Sequence, residues 1–280
     1  MGADLKTLGT YLEEFWFKDM SEKNGFLWWD GTVNAITKHY KVSLCTTCMD
    51  RLHNIRVTLP KNIADNADYP YVEFVLLDYN SSDNLGDWVR SEMMQHIESG
   101  KLAYYRTEEP LFFDMSHSRN IAFKLASGDI VNNVDADVFV NNGFATYINT
   151  LANQCSEKGA FVKSRRLMRG RLGFYKKEFI DLLGGYDEDI KGYGHDDKDL
   201  FYRACGLGFK LLWFGGGYHG NVADHTKHQG IHYKEHWKIT EGRNKLICAT
   251  NLLVGKFKAN EGKPWGKARV IKNFVEEMEI

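Results

Sequence analysis

The sequence lacks an excess of charge of either sign, a long apolar run and a rich supply of cysteine. Its 280 residues carry a formal net charge of -1, whereas nucleic-acid binders normally carry a basic excess. No apolar run approaches the roughly 20 residues that a membrane-spanning helix needs. Residues 1–18 contain acidic side chains and no uninterrupted apolar core, so we expect no secretory signal. We therefore expect no nucleic-acid partner, no transmembrane segment and a cytoplasmic location, with peripheral contact at a membrane left open.

The five cysteines lie at positions 45, 48, 155, 205 and 248, an odd and scattered set that favours reduced thiols over a disulfide framework. Cys45 and Cys48 form a C-x-x-C pair, but no second ligand pair stands at a spacing suited to zinc. We interpret them as two ordinary thiols where a strand meets a loop. Hydrophobic residues make up 43% of the chain, which provides a core for one large α/β domain or two smaller ones.

From residue 41 onward, short β-rich runs alternate with segments of helical periodicity. This alternation is typical of a mostly parallel sheet covered by helices. The predicted strands cover 42–44, 71–77, 102–105 and 130–134, and the predicted helices cover 52–63, 85–97, 118–126 and 144–151. The second half is less regular and rich in glycine. The sequence therefore predicts an α/β, Rossmann-like fold with helices flanking the central sheet and an irregular second half.

The chain divides into three parts. Residues 1–40 are rich in aromatic side chains and are predicted to form an extension packed on the core. The alternative for them is a partner surface, including one that would form a homo-oligomer. Residues 41–255 form a single domain with halves at 41–140 and 141–255. Residues 256–280 are a charged C-terminal tail that we expect to be partly helical.

Two carboxylates, Asp135 and Asp137, stand one residue apart at the end of a predicted buried strand. Side chains at i and i+2 of an extended segment point the same way. The pair can therefore hold one hard divalent cation, which is suited to carrying the phosphates of a substrate. An Asp-x-Asp sequence alone is weak evidence, so its meaning depends on its surroundings.

Polar side chains follow the first two predicted strands, and ligands of open α/β sheets bind outside the carboxyl ends of the strands. Candidates after the first strand are Thr46, Thr47, Asp50 and Arg51, and those after the second run from Asp78 through Ser82 to Asp83. For Asp78 and Asp83 two interpretations stay open: turn formers or helix caps, and recognition of a base and ribose. Arg119 stands at a predicted helix start, either to meet phosphate or as a surface arginine near a cap.

A glycine-rich stretch from Gly184 to Glu188 is followed by Gly192 to Leu200, which contains three acids at the start of a predicted helix. The helix dipole favours acids there, so one of Asp196, Asp197 and Asp199 is expected to be a cap. Three acids exceed what capping needs. A carboxylate at a helix start, beside an aromatic side chain, suits a general base that removes a proton from a hydroxyl.

Five histidines lie close together in the second half, and three of them repeat every fourth residue as they would on one helical face. They are His219, His225, His228, His232 and His236. They lack the glutamate of H-E-x-x-H, which disfavours a metalloprotease. His219 is the best candidate to complete a metal site with the aspartates, because its glycine-rich loop can reach inward. The others are expected to have surface or supporting roles.

Together these motifs resemble the nucleotide-sugar glycosyltransferases of the GT-A fold, especially family 2 and its galactosyltransferase and chondroitin-polymerase relatives. The similarity covers about 41–228. It implies a nucleotide-binding half at 41–140 and an acceptor and metal half at 141–255. The implied nucleotide-sugar contacts are Thr46, Thr47, Arg51, Asp78, Ser82, Arg119, Asp135 and Ala136. The implied metal ligands are Asp135, Asp137 and His219, and the implied acceptor contacts are Tyr186, Tyr193 and Asp196.

The resemblance also implies a reaction. A UDP-sugar would donate its sugar to a hydroxyl of a saccharide, glycan or glycolipid, with Asp197 as general base and Asp196 beside it. The cofactor would be Mn²⁺ or Mg²⁺, and the mechanism would be inverting. A retaining transferase and an inactive carbohydrate-binding or scaffold descendant remain the alternatives. The chain departs from the pattern at Tyr193 and His195, where tryptophan and a small residue are common, and at Asn132 and Asn133, which are usually apolar.

Overall fold

The computed structural model describes residue 10 and residues 34–155, 157–162, 172–218, 220–222 and 232–280. Most of the aromatic-rich N-terminal extension, whose packing on the core was predicted, lies outside the described residues, which include only residue 10 and 34–40 of it. His219, His225 and His228 also lie outside the described residues. Among the described helices, none combines the length and the apolarity needed to cross a membrane.

The described strands form one large mixed sheet and one small ribbon. Their bounds are β1 Val42–Cys48, β2 Val72–Tyr79, β3 Leu102–Thr107, β4 Ile130–Asn133, β5 Val138–Phe139, β6 Gly159–Val162, β7 Gly173–Tyr175, β8 Lys210–Trp213, β9 Gly220–Asn221, β10 Arg269–Lys272 and β11 Glu276–Glu279. The large sheet has the order β11-β10-β3-β2-β1-β4-β7-β6-β8, and β5 pairs with β9. The predicted mostly parallel centre is confirmed, because β1 pairs in parallel with β2 and β4, and β2 in parallel with β3.

Helices cover both faces of this sheet. Their bounds are α1 Leu52–Asp65, α2 Leu85–Glu92, α3 Met94–Glu98, α4 Met115–Leu125, α5 Phe144–Ala152, α6 Lys176–Asp181, α7 Asp196–Gly206 and α8 Trp237–Leu253. Alternate residues of β2 enter different cores: Val75 and Leu77 pack on the face that α4 and α7 cover, and Phe74 and Leu76 on the face of α1 and α5. Burial on both faces explains why this strand is an almost continuous apolar run.

The second half contributes three short strands to the same sheet. β7 pairs antiparallel with β4 and with β6, and β8 extends β6 in parallel. Asn132 is fully buried in β4 at this pairing. Its neighbour on β7 is Gly173, where any Cβ atom would lie 2.3 Å from the Asn132 Oδ1 atom. The Asn132 side chain fits here because Gly173, on the opposite strand, has no side chain.

The C-terminal segment is not helical, so that expectation was wrong. β10 and β11 form a hairpin that adds two antiparallel strands to the edge of β3. Asn273 and Phe274 make its turn with positive φ angles of 49° and 71°. Phe274 stacks on Tyr104 of β3, with ring centroids 4.7 Å apart. Charged residues are normal on such an edge strand, where they also discourage pairing with other chains.

Candidate active site

The Asp135-Ala136-Asp137 segment forms a turn directly after β4. The backbone N–H of Val134 donates to the carbonyl of Cys45 in β1 at 2.8 Å, and Val138 N–H donates to the carbonyl of Asp135 at 3.0 Å. All three residues of the segment line a cleft. The cleft opens at the carboxyl ends of β1 and β4, where ligands of open α/β sheets bind.

The cleft is built from four parts of the chain. The first is β1 with the start of α1, the second is α4 with the loop before it, the third is the turn after β4, and the fourth comes from the second half of the chain. The lining residues are Thr47, Met49, Arg51, Asn54, Phe113, Met115, Arg119, Asp135, Ala136, Asp137, Tyr193, His232 and Tyr233.

Arg119 joins three carboxylates at this cleft. It lies on α4 with only 4% of its side chain exposed. Its Nη2 atom donates to Asp135 Oδ1 at 3.2 Å, and its Nη1 atom donates to Asp197 Oδ1 at 3.1 Å. The same Nη1 atom also donates to Asp196 Oδ2. One guanidinium therefore brings together the Asp-x-Asp turn of the first half and the acidic helix start of the second.

Asp197 has the ionisation behaviour of a base that works near neutral pH. Burial raises its pKa to about 7; Arg119 opposes this rise, and the carboxylates of Asp196 and Asp135 add to it. The hydroxyl of Tyr186 donates to Asp197 Oδ1 at 3.4 Å. Burial also raises the pKa of Tyr186, so its phenol remains a donor at neutral pH.

The acidic helix start has a different cap from the one expected. α7 begins at Asp196, and His195 occupies the cap position with a φ of 67° and no capping hydrogen bond from its side chain. None of the three acids is therefore the cap. Asp199 instead accepts from Arg203 Nε at 2.6 Å inside the core. Asp196 and Asp197 instead contact Arg119, which lines the cleft, but neither carboxylate is among the lining residues.

Asp78 does not reach the cleft. It is fully buried, and its Oδ2 atom accepts hydrogen bonds from Tyr104 Oη and Arg106 Nη1, both at 2.7 Å. Its Oδ1 atom accepts from the backbone N–H of Ser81 at 2.8 Å. These bonds occupy the carboxylate within the protein, so in this structure Asp78 holds the loop after β2 in place.

Other predicted contacts also lie outside the cleft lining. Thr46 is buried on the strand before the lining residue Thr47. Ser82 is exposed and donates to Asp50 through its backbone N–H and its hydroxyl. Tyr186 is fully buried beneath Arg119, with the guanidinium carbon 5.5 Å from the ring centroid. Tyr186 therefore supports Arg119 and Asp197 and offers no free face to an acceptor, unlike Tyr193.

Several residues at the site were not predicted from the sequence to lie there. Asn133 donates through Nδ2 to Asp135 Oδ1 at 2.9 Å, which explains a polar residue at the end of a buried strand. Asn54 is 1% exposed, and its amide oxygen has no partner among the described residues. His232 lies 3.4 Å from Asp50 Oδ2. The fourth-residue spacing of the histidines was the only hint, and it misled, because the described residues 232–236 precede α8 instead of forming a helical face.

The carboxylate pair fits two ligands of a hard divalent cation. Asp135 and Asp137 both line the cleft, and Asn133 and Arg119 orient the Asp135 carboxylate. Among the described residues, no group of three histidine, cysteine, aspartate or glutamate side chains is placed to hold a metal. The predicted third ligand, His219, lies outside those residues.

The fold and this site define a class of enzyme, the GT-A glycosyltransferases. Residues 43–161 match the sequence profile of the family described as Glycosyl transferase family 2. The matched segment runs from β1 into β6 and includes Arg119, Asp135 and Asp137. The resemblance that the motifs indicated is thereby confirmed: the chain is a glycosyltransferase, and residues 43–161 match the model of family 2. No protein of curated function matches the chain significantly.

Solved structures share the fold at low sequence identity. A mannosyltransferase from Pyrobaculum calidifontis, in complex with GDP-Man and Mn²⁺, is 20% identical over 90% of this chain and 86% of that one, with a TM-score of 0.58. S. aureus TarS with UDP-GlcNAc is 16% identical over 68% of this chain and 60% of the other, with a TM-score of 0.52. GalNAc-T7 with UDP, GalNAc and Mn²⁺ is 14% identical over 76% and 51%, with a TM-score of 0.52. The chain thus spans less than two thirds of the latter two structures.

Proposed function

We propose that the protein is a metal-dependent, inverting glycosyltransferase that moves a sugar from a UDP-sugar to a hydroxyl of a saccharide, glycan or glycolipid. The observation that carries this proposal is the position of Arg119, which contacts Asp135 at 3.2 Å and Asp197 at 3.1 Å. The carboxylate assigned to the donor diphosphate and the carboxylate assigned to the acceptor hydroxyl therefore share one guanidinium, which lines the cleft. A transfer reaction needs this proximity.

Asp197 is the proposed general base. Its carboxylate accepts the proton of the acceptor hydroxyl while the acceptor oxygen bonds to the anomeric carbon of the donor. The bond from that carbon to the diphosphate oxygen breaks, and UDP leaves with the electron pair. A pKa of about 7 suits this task, because the group is substantially ionised at neutral pH and still basic enough to take a proton. A single displacement converts an α-linked donor into a β-linked product.

Asp135 and Asp137, with His219 as the proposed third ligand, would hold Mn²⁺ or Mg²⁺. When bound, the cation would neutralise the negative charge that develops on the departing diphosphate. Two structural neighbours are complexes with Mn²⁺, which supports a divalent ion here. Thr47 and Arg51 line the cleft beside this pair and are the proposed contacts to the nucleotide.

The central test is the Asp197→Asn variant. We expect transfer to fall by about 10²–10⁴-fold, the usual contribution of a general base, with UDP binding retained. The assay is UDP release with a panel of UDP-sugars and saccharide acceptors, and UDP binding is followed by thermal shift with Mn²⁺. Asp181→Asn, which changes an exposed carboxylate paired with Lys177, is the matched control. Near-normal turnover in Asp197→Asn would remove this residue from the base role.

The stereochemistry of the product distinguishes the alternatives. NMR of the anomeric proton should show a β-linked product from an α-linked donor. Retention of the α configuration would instead support a retaining transferase, which needs no base at Asp197. An inactive carbohydrate-binding descendant would hydrolyse no UDP-sugar even without an acceptor.

The metal assignment makes a separate prediction. Asp137→Ala should weaken UDP binding in the presence of Mn²⁺ and should leave the weaker binding measured in EDTA unchanged. The comparison isolates the metal-dependent part of binding, because the variant removes a proposed ligand and no described contact to the nucleotide. Full transfer activity in EDTA would show that the assignment is wrong.

A further inference from the structure

The glycine-rich turn that carries Tyr193 is fixed directly on α8. The hydroxyl of Thr240 donates to the carbonyl of Tyr193 at 3.0 Å, and Asn244 Nδ2 donates to the carbonyls of Lys191 and Gly194 at 2.8 and 2.9 Å. Thr240 and Asn244 are one turn apart on the buried side of the helix. The turn and the helix therefore behave as one rigid unit.

Trp237 is the first residue of the same helix and lies beside Tyr193. The Thr240 hydroxyl, which holds the Tyr193 turn, also lies 3.1 Å from the carbonyl of Trp237. The ring centroids of Tyr193 and Trp237 are 6.4 Å apart, and those of Tyr193 and Tyr233 are 6.0 Å apart. We call these three side chains, Tyr233, Tyr193 and Trp237, the aromatic band. The hydrogen bonds of the Thr240 hydroxyl hold Tyr193 and Trp237, the outer two of these residues, close together.

The aromatic band leads out of the cleft. Tyr193 and Tyr233 line the cleft, whereas Trp237 does not and is 37% exposed. Polar groups surround the outer ring: His236 stacks near it at 5.8 Å, and Lys238 Nζ lies 5.6 Å from its centroid. Arg243 of the same helix also forms an ion pair with Glu235, which precedes the helix. The band is thus an apolar platform with hydrogen-bonding groups at its rim.

This combination fits a sugar ring better than a lipid tail. A pyranose presents C–H bonds on its face, which pack on an aromatic ring, and hydroxyls at its edge, which need polar partners. A lipid tail would leave the charged rim without partners. The flexible Lys238 side chain can move from the ring and donate to a sugar hydroxyl. Because the band continues the cleft, its outer occupant is the next ring of a molecule whose first ring lies inside.

We propose that Trp237 forms a second acceptor subsite, so that the acceptor is a saccharide of at least two rings. This inference rests on the proposed transferase function and deepens it. The first ring would lie near Tyr193 with its hydroxyl toward the carboxylates, and the second would stack on Trp237. Trp237 is then a specificity-determining residue that acts on acceptor binding and takes no part in the chemistry.

The test compares one-ring and two-ring acceptors. The probes are methyl glucoside, methyl galactoside and methyl N-acetylglucosaminide against cellobiose, lactose and chitobiose. For the wild type we expect a KM about tenfold lower for the better two-ring acceptor, the effect of one aromatic contact. Trp237→Ala should abolish this difference, with kcat and the KM of the one-ring acceptor within about twofold. Trp237→Phe should retain part of it because a ring remains.

The matched control is Trp213→Ala, which removes a tryptophan of similar exposure, 39%, from β8. It should leave all acceptor constants unchanged. An equal KM for one-ring and two-ring acceptors in the wild type, or an unaltered preference in Trp237→Ala, would overturn the subsite. So would a preference for octyl glycosides that Trp237→Ala removes, which would assign the surface to an alkyl chain. Donor hydrolysis without acceptor tests the transferase function itself, so the two failures are distinguishable.

Discussion

At the scale of single residues, Arg119 supplies a cation that contacts Asp135, Asp196 and Asp197. Three carboxylates within reach of each other repel, and burial makes the repulsion stronger. The fork of the guanidinium offsets this repulsion through two nitrogens. Arg119 thus shapes the site even before any substrate arrives, and a surface role for it is excluded by its burial.

Replacing Arg119 should damage both stability and activity. Arg119→Met leaves buried carboxylates without their cation, and we expect the free energy of unfolding to fall by about 3–5 kcal/mol. Arg119→Lys keeps a charge but not the fork, so a smaller loss of stability and a large loss of transfer are expected. Urea unfolding and UDP release measure the two effects.

Arg56→Met, which removes an exposed arginine from α1, is the control for both variants. Its stability and its transfer rate should match those of the wild type. If Arg119→Met were as stable as this control, Arg119 would have no structural role in the acidic cluster.

At the scale of elements, a buried glutamate ties three neighbouring segments together. Glu73 of β2 accepts from the Ser43 hydroxyl of β1 and from the backbone N–H of Ser127, both at 2.6 Å. Lys41 Nζ lies 3.0 Å from its other oxygen. Burial alone would raise the pKa of Glu73, but the hydrogen bonds from Ser127, Ser43 and Lys41 outweigh it and lower the pKa below 4.5. The cluster fixes β1 and β2 where the central strands begin.

This cluster should make stability depend on acid. In the unfolded chain Glu73 takes up its proton near its ordinary pKa, and in the folded chain only at lower pH. Its contribution is therefore complete above pH 4.5 and is lost as the pH falls through the lower folded pKa. We expect Glu73→Gln to unfold about 1–3 kcal/mol more easily than the wild type at neutral pH, with the difference shrinking as the pH falls below 4.5.

Urea unfolding at several pH values measures this difference. Glu92→Gln, at an exposed position on α2, should be neutral throughout. A difference between Glu73→Gln and the wild type that stays constant with pH would contradict the account.

Local sequence patterns predict some of the helices and strands but not others. β1, β2, β3 and α4 follow from apolar runs and helical periodicity, and the structure places each of them within a few residues of the prediction. β10 and β11 could not be found this way, because pairing with a strand more than 160 residues earlier along the chain makes them a hairpin. Likewise, periodicity could not separate Asp78, bonded inside the protein, from Asp135 at the cleft. Both follow the apolar run of a predicted strand, and the hydrogen bonds from Tyr104 and Arg106 to Asp78 distinguish them only in the structure.

At the scale of the whole molecule, the C-terminal segment braces the acceptor side of the site. Asn260 Nδ2 donates to the carbonyls of Gly184 and Tyr186 at 2.8 and 2.7 Å, and its Oδ1 accepts from the N–H of Glu188 at 3.0 Å. A Cβ atom at Gly184 would lie 2.2 Å from the carbonyl oxygen of Ala259, so the two segments touch. The segment that follows α8 therefore packs directly against the glycine-rich stretch from Gly184 to Glu188.

Because Asn260 holds the segment that contains Tyr186, we expect its replacement to affect transfer. Asn260 has a φ of 55°, so Asn260→Gly removes the three hydrogen bonds without adding backbone strain. We expect a loss of about 1–3 kcal/mol in the free energy of unfolding. Transfer to the acceptor should also fall, because Tyr186 supports Asp197, whereas UDP binding should not change. Asn84→Gly is the matched control, since Asn84 is exposed and has a φ of 64°. Equal transfer rates for the two variants would show that the C-terminal segment stabilises the fold without positioning the base.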